Sequence, residues 1–417
     1  MATNSTFSIQ ERPHYQLLDG LRGVAALMVV LYHIFEGFAF AEATNGAGDG
    51  IITIFNHGYL AVDFFFMLSG FVISYAYDDR WKSMGVWQFF KRRLVRLHPM
   101  VIMGAIIGAA TFWIGGCAAW SGERAGFSNI IIALVLGMLL IPAYPGARYD
   151  VRGNGEMFPL NGPSWSLFFE YLGNILYASF IRRLSTKLLK ILVIILGALF
   201  AVFAVSNASG YGSIGVGWTL DRVNFFGGAL RMLFPFTVGM VLQRTFFADH
   251  VKIRSISKKL PSAGAIFIFC SLLLFAIFSV PFLGAKECFS ANGIYEFLCV
   301  AVAFPLIVTS GAAASCPKDE DTPHNKNCTG PQRGSASLKI AGFLGEISYP
   351  LYIVHYPVMY LFYSWLIKDE KYTLCQSWHA VFAVFAISLA LAYITLKFYD
   401  IPIRERLLAK APLKDNS

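Results

Sequence analysis

Two ionisable residues lie in the first stretch of this chain that is apolar enough to cross a membrane, LDGLRGVAALMVVLYHIFEGF at 18–38. Arg22 and His33 lie on one face of a helix at about 100° per residue, roughly 16 Å apart along its axis. Separately, the arginine could snorkel to the membrane surface and the histidine could hydrogen-bond between packed helices. Because ionisable groups are costly in lipid, the pair on one face favours a cavity or a substrate pathway.

Polar side chains recur in other apolar stretches of the chain. GYLAVDFFFMLSGF at 58–71 carries an aspartate, and PSWSLFFEYLGN at 163–174 carries a serine and a glutamate one helical turn apart. EISYPLYIVHYP at 346–357 adds a tyrosine and a histidine. Close helix packing could explain the serines and glycines, but buried carboxylates need partners. Glu36 and Asp63 are therefore candidate catalytic residues, and Ser69 is a candidate cofactor-binding residue. The candidate substrate-cavity residues are Trp165, Ser166, Glu170, Tyr352 and His355.

Four basic residues occur within FFKRRLVRLHP at 89–99. Arg93 and Arg96 are three residues apart, so on a helix both guanidinium groups can point at one anion, while Arg92 adds to the positive field. The alternatives are that the cluster only sets the orientation of the chain in the membrane or contacts anionic lipid.

The elements that position these residues follow from composition. Of 417 residues, 56% are hydrophobic and 14% are charged, which is typical of an integral membrane protein. The net charge of +9 is concentrated in particular loops, so it indicates orientation in the lipid bilayer and not nucleic-acid binding. The sequence predicts an all-α, polytopic transmembrane helix bundle.

Eleven apolar stretches could form helices, and charge decides how many of them cross. If all eleven crossed, the basic segments at 182–190 and 252–259 and the C-terminal basic residues would lie outside the cell. If one of the early stretches does not cross, all three of these basic segments lie in the cytoplasm. The stretch 128–142 is the shortest and is too short for an upright span of about 20 residues, so we omit this one. We therefore expect about ten spanning helices, both termini cytoplasmic, and 128–142 as a re-entrant or interfacial segment. The spans are 17–38, 59–77, 98–120, 161–181, 188–206, 228–247, 262–283, 294–314, 340–366 and 378–399.

The remaining polar segments suggest one transmembrane domain at 17–404. A cytoplasmic leader is expected at 1–16, without a cleavable signal peptide, and a cytoplasmic tail at 405–417. The segment 315–339 is rich in Gly, Pro and Ser, which predicts a flexible cytoplasmic loop. Its Cys316, His324 and Cys328 have a loosely ligand-like spacing but lack a fourth ligand, so no metal site is expected.

Six motifs, in this order, resemble those of acyltransferase family 3, a family of integral-membrane O-acyltransferases. They are GLRGVAALMVVLYH, VDFFFMLSGF, KRRLVRLHP, PSWSLFFE, SYPLYIVHYP and the closing YDIPIR, and together they cover residues 17 to 404. Asp400 stands where the family more often has glutamate, which keeps the charge. The chain resembles the standalone type, without an additional hydrolase-like domain.

The resemblance implies a donor and a catalytic base. The donor would be acyl-CoA, with acetyl-CoA the expected form, and no tightly bound cofactor is expected. Arg93 and Arg96 would lie near its phosphates, and Arg22 would help to position it. His33 would be the catalytic base, which suits a residue whose ordinary pKa is near 6.5. Glu36 or Asp63 could orient its imidazole ring.

The sequence therefore predicts an inner-membrane O-acyltransferase that modifies a hydroxyl of a cell-surface or exported carbohydrate or of a lipid-linked glycan. Direct transfer and an acyl-histidine intermediate both stay open. The alternative is a transporter or flippase that uses the same buried groups as a proton or substrate path. The RxxR pair favours the enzyme, because a proton path needs no phosphate-binding fork. The acceptor sugar and the oligomeric state do not follow from the sequence.

Overall fold

A computed structural model describes residues 15–50, 52, 54–247, 250–315 and 336–409. Over these residues the chain is almost entirely helical, apart from a short hairpin of β1 (Ala285–Lys286) and β2 (Phe289–Ser290). The helices are α1 (Gln16–Thr44), α2 (Ala61–Tyr77), α3 (Val86–Ile114), α4 (Phe127–Met138), α5 (Ser164–Ser179), α6 (Thr186–Val205), α7 (Arg222–Leu242), α8 (His250–Lys259), α9 (Ala263–Ser279), α10 (Ala291–Leu298), α11 (Phe304–Ala314), α12 (Ala336–Lys368), α13 (Leu374–Thr395) and α14 (Ile401–Ala409).

Seven helical segments in the described part of the chain are long and apolar enough to cross a membrane. They are Gln16–Thr44, Gly58–Lys82, Val86–Ile114, Thr186–Val205, Arg222–Phe247, Ala291–Ala314 and Leu374–Ala409. The predicted all-α polytopic bundle is therefore confirmed. The other three predicted spans coincide with α5, α9 and α12, so a helix lies at each of the ten positions. The number of crossings stays a prediction.

The stretch predicted not to cross contains the short helix α4. Its 12 residues rise about 18 Å, well short of a hydrocarbon core of about 30 Å. The chain then turns at Leu140, whose φ of 52° lies in the left-handed region and does not continue a helix. This length fits a re-entrant or interfacial segment.

Helix α3 begins earlier than the sequence suggested. The prediction placed KRRLVR in a loop and began the span at 98, but α3 starts at Val86. The Gln88 side chain accepts a hydrogen bond from the backbone N–H of Gly85 at 3.0 Å and caps the helix start, and Pro99 lies inside the helix. Arg93 and Arg96 are consequently fixed one turn apart on a helix face.

Small residues bring α1 and α12 close together. A β-carbon at Gly23 would collide with the main-chain carbonyl of Leu344, and one at Gly37 would collide with the ring of Tyr363. Such close approach is typical of membrane helices, whose association depends on packing. The contact places His33 of α1 directly against the middle of α12.

Several polar segments predicted from the sequence lie partly outside the described residues. These are most of the leader 1–16, the part 316–335 of the loop, with Cys316, His324 and Cys328, and the end of the tail. Within the predicted loop and tail, 336–339 belong to α12 and 405–409 belong to α14.

Candidate active site

A cavity of about 580 Å³ lies beside the N-terminal half of α1. Its wall includes the guanidinium-bearing residues Arg22, Arg93, Arg96 and Arg404, and we call it the basic cavity. Helices α2, α5, α12 and α14 complete it, which explains how arginines distant in sequence reach one space.

A second cavity, of about 260 Å³, lies beside the C-terminal half of α1. It is lined by His33 and Glu36 and by many aromatic side chains, and we call it the histidine cavity. Val62 and Tyr352 line both cavities. The two spaces therefore adjoin at these side chains, and Arg22 and His33 face different cavities along one helix.

The His33 imidazole is held by a carboxylate one turn further along α1. Its Nδ1 lies 2.7 Å from Glu36 Oε2, while the Tyr32 hydroxyl donates to Glu36 Oε1 at 3.1 Å. The Tyr363 hydroxyl lies 2.6 Å from the His33 carbonyl oxygen and 2.9 Å from Glu36 Oε2. With Nδ1–H donating to the carboxylate, His33 Nε2 carries the lone pair that a general base needs.

His355 lies behind His33 and is not part of either cavity wall. The two imidazole rings stack with centroids 5.3 Å apart, and His355 is fully buried. Its Nδ1 lies 3.0 Å from the Leu351 carbonyl oxygen. Tyr356 also contacts His33, edge-on, at 4.6 Å between centroids. His355 thus restricts the orientation of His33 from within the bundle.

Three of the four arginines of the basic cavity form ion pairs, each with a different carboxylate. Arg22 Nη2 lies 3.3 Å from Asp19 Oδ1, and its Nε donates to Ser348 Oγ at 2.9 Å. Arg93 Nη2 lies 2.5 Å from Glu170 Oε1. Arg404 pairs with Asp400 at 2.9 Å.

Arg96 differs from these three arginines. Its side chain is exposed to the cavity, and among the described residues no carboxylate lies within ion-pair distance of it. Arg96 therefore presents a guanidinium that can bind an incoming anion without first breaking an ion pair.

The other predicted site residues divide between the two cavities. Ser69 donates to Glu170 Oε1 at 3.1 Å in the basic cavity, and the hydroxyls of Ser166 and Tyr352 are 2.8 Å apart near the shared wall. Trp165 lines the histidine cavity. Arg92 lies on α3 outside the basic cavity wall.

Asp63 does not contact His33 and pairs with a residue of α7. Arg231 Nη2 lies 2.7 Å from Asp63 Oδ2, and both side chains are almost completely buried. Arg231 also donates to the carbonyl oxygens of Val216 at 2.7 Å and Tyr59 at 3.0 Å. Sequence reasoning missed Arg231, although an arginine inside a predicted span was a sufficient signal for a buried partner.

Glu156 is a second residue that sequence reasoning missed. It lies in the segment between α4 and α5 and lines the histidine cavity. Burial raises the pKa of its carboxyl to about 7, although the Tyr360 hydroxyl and the nearby Arg152 act in the opposite direction. No periodic pattern surrounds Glu156, so spacing gave no signal for it.

Fold and site together define a multi-pass membrane protein whose helix bundle holds two adjoining cavities, each with ionisable side chains in its wall. Residues 15–397 match the family profile described as an acyltransferase domain, and the chain belongs to this family, acyltransferase family 3. The protein is therefore a membrane-bound acyltransferase, and the resemblance seen in the motifs is confirmed.

Curated relatives are similar over different lengths of the chain. Protein 2 in the picA locus of Rhizobium radiobacter is 34% identical over 179 residues, which are 41% of this chain and 84% of the relative. Acyltransferase MdmB of Streptomyces mycarofaciens is 30% identical over 41% of each chain. Peptidoglycan O-acetyltransferase OatA of Listeria monocytogenes is 25% identical over 94% of this chain.

The alignments cover 41% of MdmB and 56% of OatA, so the chain spans about half the length of these two relatives or less. No solved structure matches the chain.

Proposed function

We propose that the protein is an O-acetyltransferase that transfers the acyl group of an acyl-CoA donor to a hydroxyl of a cell-surface or exported carbohydrate or of a lipid-linked glycan. The observation that carries this proposal is the adjacency of the two cavities at Val62 and Tyr352. One cavity is rich in arginine and the other holds the His33–Glu36 pair, which are the groups that an anionic donor and a hydroxyl acceptor require. The relatives named O-acetyltransferases support the same reaction.

The basic cavity suits the phosphates of coenzyme A. Guanidinium groups bind phosphate through two parallel N–H···O bonds, which a single ammonium group does not reproduce. Arg96 is available for this role, and the Arg93–Glu170 and Arg22–Asp19 pairs keep further positive groups in fixed positions beside it. The thioester would then extend toward the shared wall.

The histidine cavity suits activation of the acceptor. His33 Nε2 removes the proton of the acceptor hydroxyl as its oxygen attacks the thioester carbonyl. The C–O bond forms, the C–S bond breaks, and the coenzyme A thiolate takes up a proton. Glu36 stabilises the imidazolium that forms between these two proton transfers.

The test of this function uses purified protein in nanodiscs with acetyl-CoA and an oligosaccharide. Release of the coenzyme A thiol and acetylated product, detected by mass spectrometry, are expected together. Absence of both in the wild-type protein, under conditions in which it is folded, would exclude this reaction.

Replacing Arg96 with alanine tests the donor site separately. Hydrogen bonds to charged groups contribute about 1.5–3 kcal/mol, so we expect the KM for acetyl-CoA to rise about 10- to 100-fold with little change in kcat. Arg406→Ala is the matched control, because Arg406 is an exposed arginine of α14 outside the basic cavity. Equal KM values for the two variants would contradict a donor role for Arg96.

We further propose that the protein lies in the inner membrane with both termini in the cytoplasm, as the positions of the basic loops favour. Cysteines placed at Ser185 and Ala409, in a variant without the native cysteines, are expected to resist a membrane-impermeant thiol reagent added to intact cells. Both should react after the cells are opened. Labelling of either position in intact cells contradicts the ten-span arrangement.

A further inference from the structure

The side of the histidine cavity away from the basic cavity carries a cluster of polar atoms that the proposed reaction does not use. The cluster consists of Glu156 and Asn154 from the segment between α4 and α5, together with Trp120, which follows α3. All three residues line the cavity that contains His33. We call this cluster the Glu156 subsite.

The Glu156 carboxylate is fixed by neutral donors. The Tyr360 hydroxyl donates to Oε2, and Asn154 Nδ2 donates to Oε1 at 3.0 Å. Tyr360 is itself positioned by the backbone N–H of Gly162, which donates to its hydroxyl oxygen at 3.2 Å. Each carboxylate oxygen retains a lone pair, because one donor does not exhaust its capacity to accept.

Two neighbouring polar atoms are buried without a hydrogen-bond partner among the described residues. These are the indole Nε1 of Trp120, a donor, and the side-chain oxygen Oδ1 of Asn154, an acceptor. Buried polar atoms are usually paired, so an unpaired donor and an unpaired acceptor in one cavity wall indicate a ligand that offers both. A hydroxyl group offers both, since it donates one hydrogen and accepts through its lone pairs.

The Glu156 subsite is separated from His33 by other side chains, so the subsite can position the acceptor but takes no part in proton transfer. Two rings separate them: Tyr356 contacts His33 at 4.6 Å, and Tyr360 contacts Tyr356 at 4.7 Å between centroids. Tyr360 then contacts Glu156. These tyrosines and three tryptophans give the cavity the aromatic surfaces on which the apolar faces of sugar rings pack.

The charged side chains of the histidine cavity indicate which saccharide acceptors it can bind. Glu36 and Glu156 both contribute carboxylates, whereas the guanidinium of Arg231 is already paired with Asp63. A carboxylate or phosphate on the acceptor would therefore meet like charge in this cavity.

Resting on the proposed function, we propose that the Glu156 subsite binds hydroxyl groups of a neutral saccharide acceptor and holds the sugar for transfer at His33. Glu156 is a positioning residue, and it selects against acidic saccharides.

Binding is tested directly with chitotetraose as the neutral probe and tetragalacturonic acid as the acidic one. The lining residues Trp120, Trp165 and Trp218 make tryptophan fluorescence a suitable readout for the protein in nanodiscs. We expect chitotetraose to bind more tightly than the acidic probe. Glu156→Gln, which keeps the shape of the side chain, should weaken chitotetraose binding about tenfold or more. Glu123→Gln, an exposed loop carboxylate outside the cavity, is the matched control and should not change it.

The pH dependence of chitotetraose binding distinguishes a positioning role of Glu156 from a purely structural one. The facing charged and titratable groups are Arg152 and Asp150 of the same segment, Tyr356 and Tyr360 of α12, and Glu36 of α1. Because a carboxylate accepts hydrogen bonds more strongly than a carboxylic acid, wild-type affinity should increase as pH rises from about 6 to about 8, through the raised pKa of Glu156. Glu156→Gln should lack this increase.

The two proposals fail in different ways. If the wild-type protein releases the thiol of acetyl-CoA but binds tetragalacturonic acid as well as chitotetraose, or binds neither, the subsite inference is wrong and the transferase stands. Unchanged chitotetraose affinity in Glu156→Gln also overturns it. If chitotetraose binds in a Glu156-dependent manner but acetyl-CoA is never consumed, the proposed function is wrong and the saccharide site stands.

Discussion

Replacing His33 with alanine is expected to reduce kcat for acetyl transfer about 10²- to 10⁴-fold, the usual contribution of a general base. The reduction follows from the geometry, because His33 offers Nε2 to the histidine cavity while Nδ1 is held by Glu36 at 2.7 Å. The KM for acetyl-CoA should change little, since the donor is bound in the other cavity. Steady-state kinetics with purified variants measures both constants.

Glu36→Gln is the informative companion to this variant. Glutamine can still accept a hydrogen bond from His33 Nδ1–H, but it has no charge to stabilise an imidazolium, so a smaller loss of kcat is expected. Tyr32→Phe removes only a donor to Glu36 and should have the least effect. A His33→Ala enzyme that transfers at the wild-type rate would show that the base is another residue.

Breaking the Asp63–Arg231 pair is expected to destabilise the bundle by about 3–5 kcal/mol, the cost of leaving one buried charge without its partner. Both side chains are almost completely buried, and Arg231 also holds the Val216 and Tyr59 carbonyl oxygens. Asp63→Asn and Arg231→Met should each shift the unfolding midpoint in a denaturing detergent strongly toward lower concentrations.

The double variant separates charge from packing. Asp63→Leu with Arg231→Met removes both charges, so it should be more stable than either single variant, although the two carbonyl oxygens lose a donor. Lys397→Met is the control, because it removes a cation from a surface ion pair with Glu346, which contributes little. Single variants as stable as this control would contradict a structural role for the buried pair.

The parts of the fold and of the site that could be predicted from the sequence depend on residues that are close together in the chain. The spacing of Arg22 and His33 needs only helical geometry, and the arginines of α3 are three residues apart in the chain and one turn apart in the structure. The bundle itself followed from apolar stretches long enough to span a membrane. These features depend on neighbours in sequence, which periodicity describes well.

Pairings between side chains of helices that are distant in the chain could not be predicted from the sequence. Asp63 was considered as a partner for His33, but it pairs with Arg231, 168 residues away in the chain. Glu156 reaches the histidine cavity because an irregular segment folds back against α12, where Tyr360 meets it. A single sequence contains no period that links such residues, so only the packed structure shows which carboxylate serves which partner.

The thin wall of Val62 and Tyr352 between the cavities also has an electrical consequence. Where polar cavities approach each other from opposite sides of a membrane, most of the transmembrane voltage falls across the layer that separates them. Moving one elementary charge through that voltage involves about 2.3 kcal/mol per 100 mV. In the proposed reaction the anionic coenzyme stays on its own side. The acetyl group crosses the layer toward the acceptor, and the proton that His33 takes from the acceptor hydroxyl crosses in the opposite direction to the coenzyme A thiolate. Because this exchange moves no net charge, the transfer step neither consumes the membrane potential nor is driven by it.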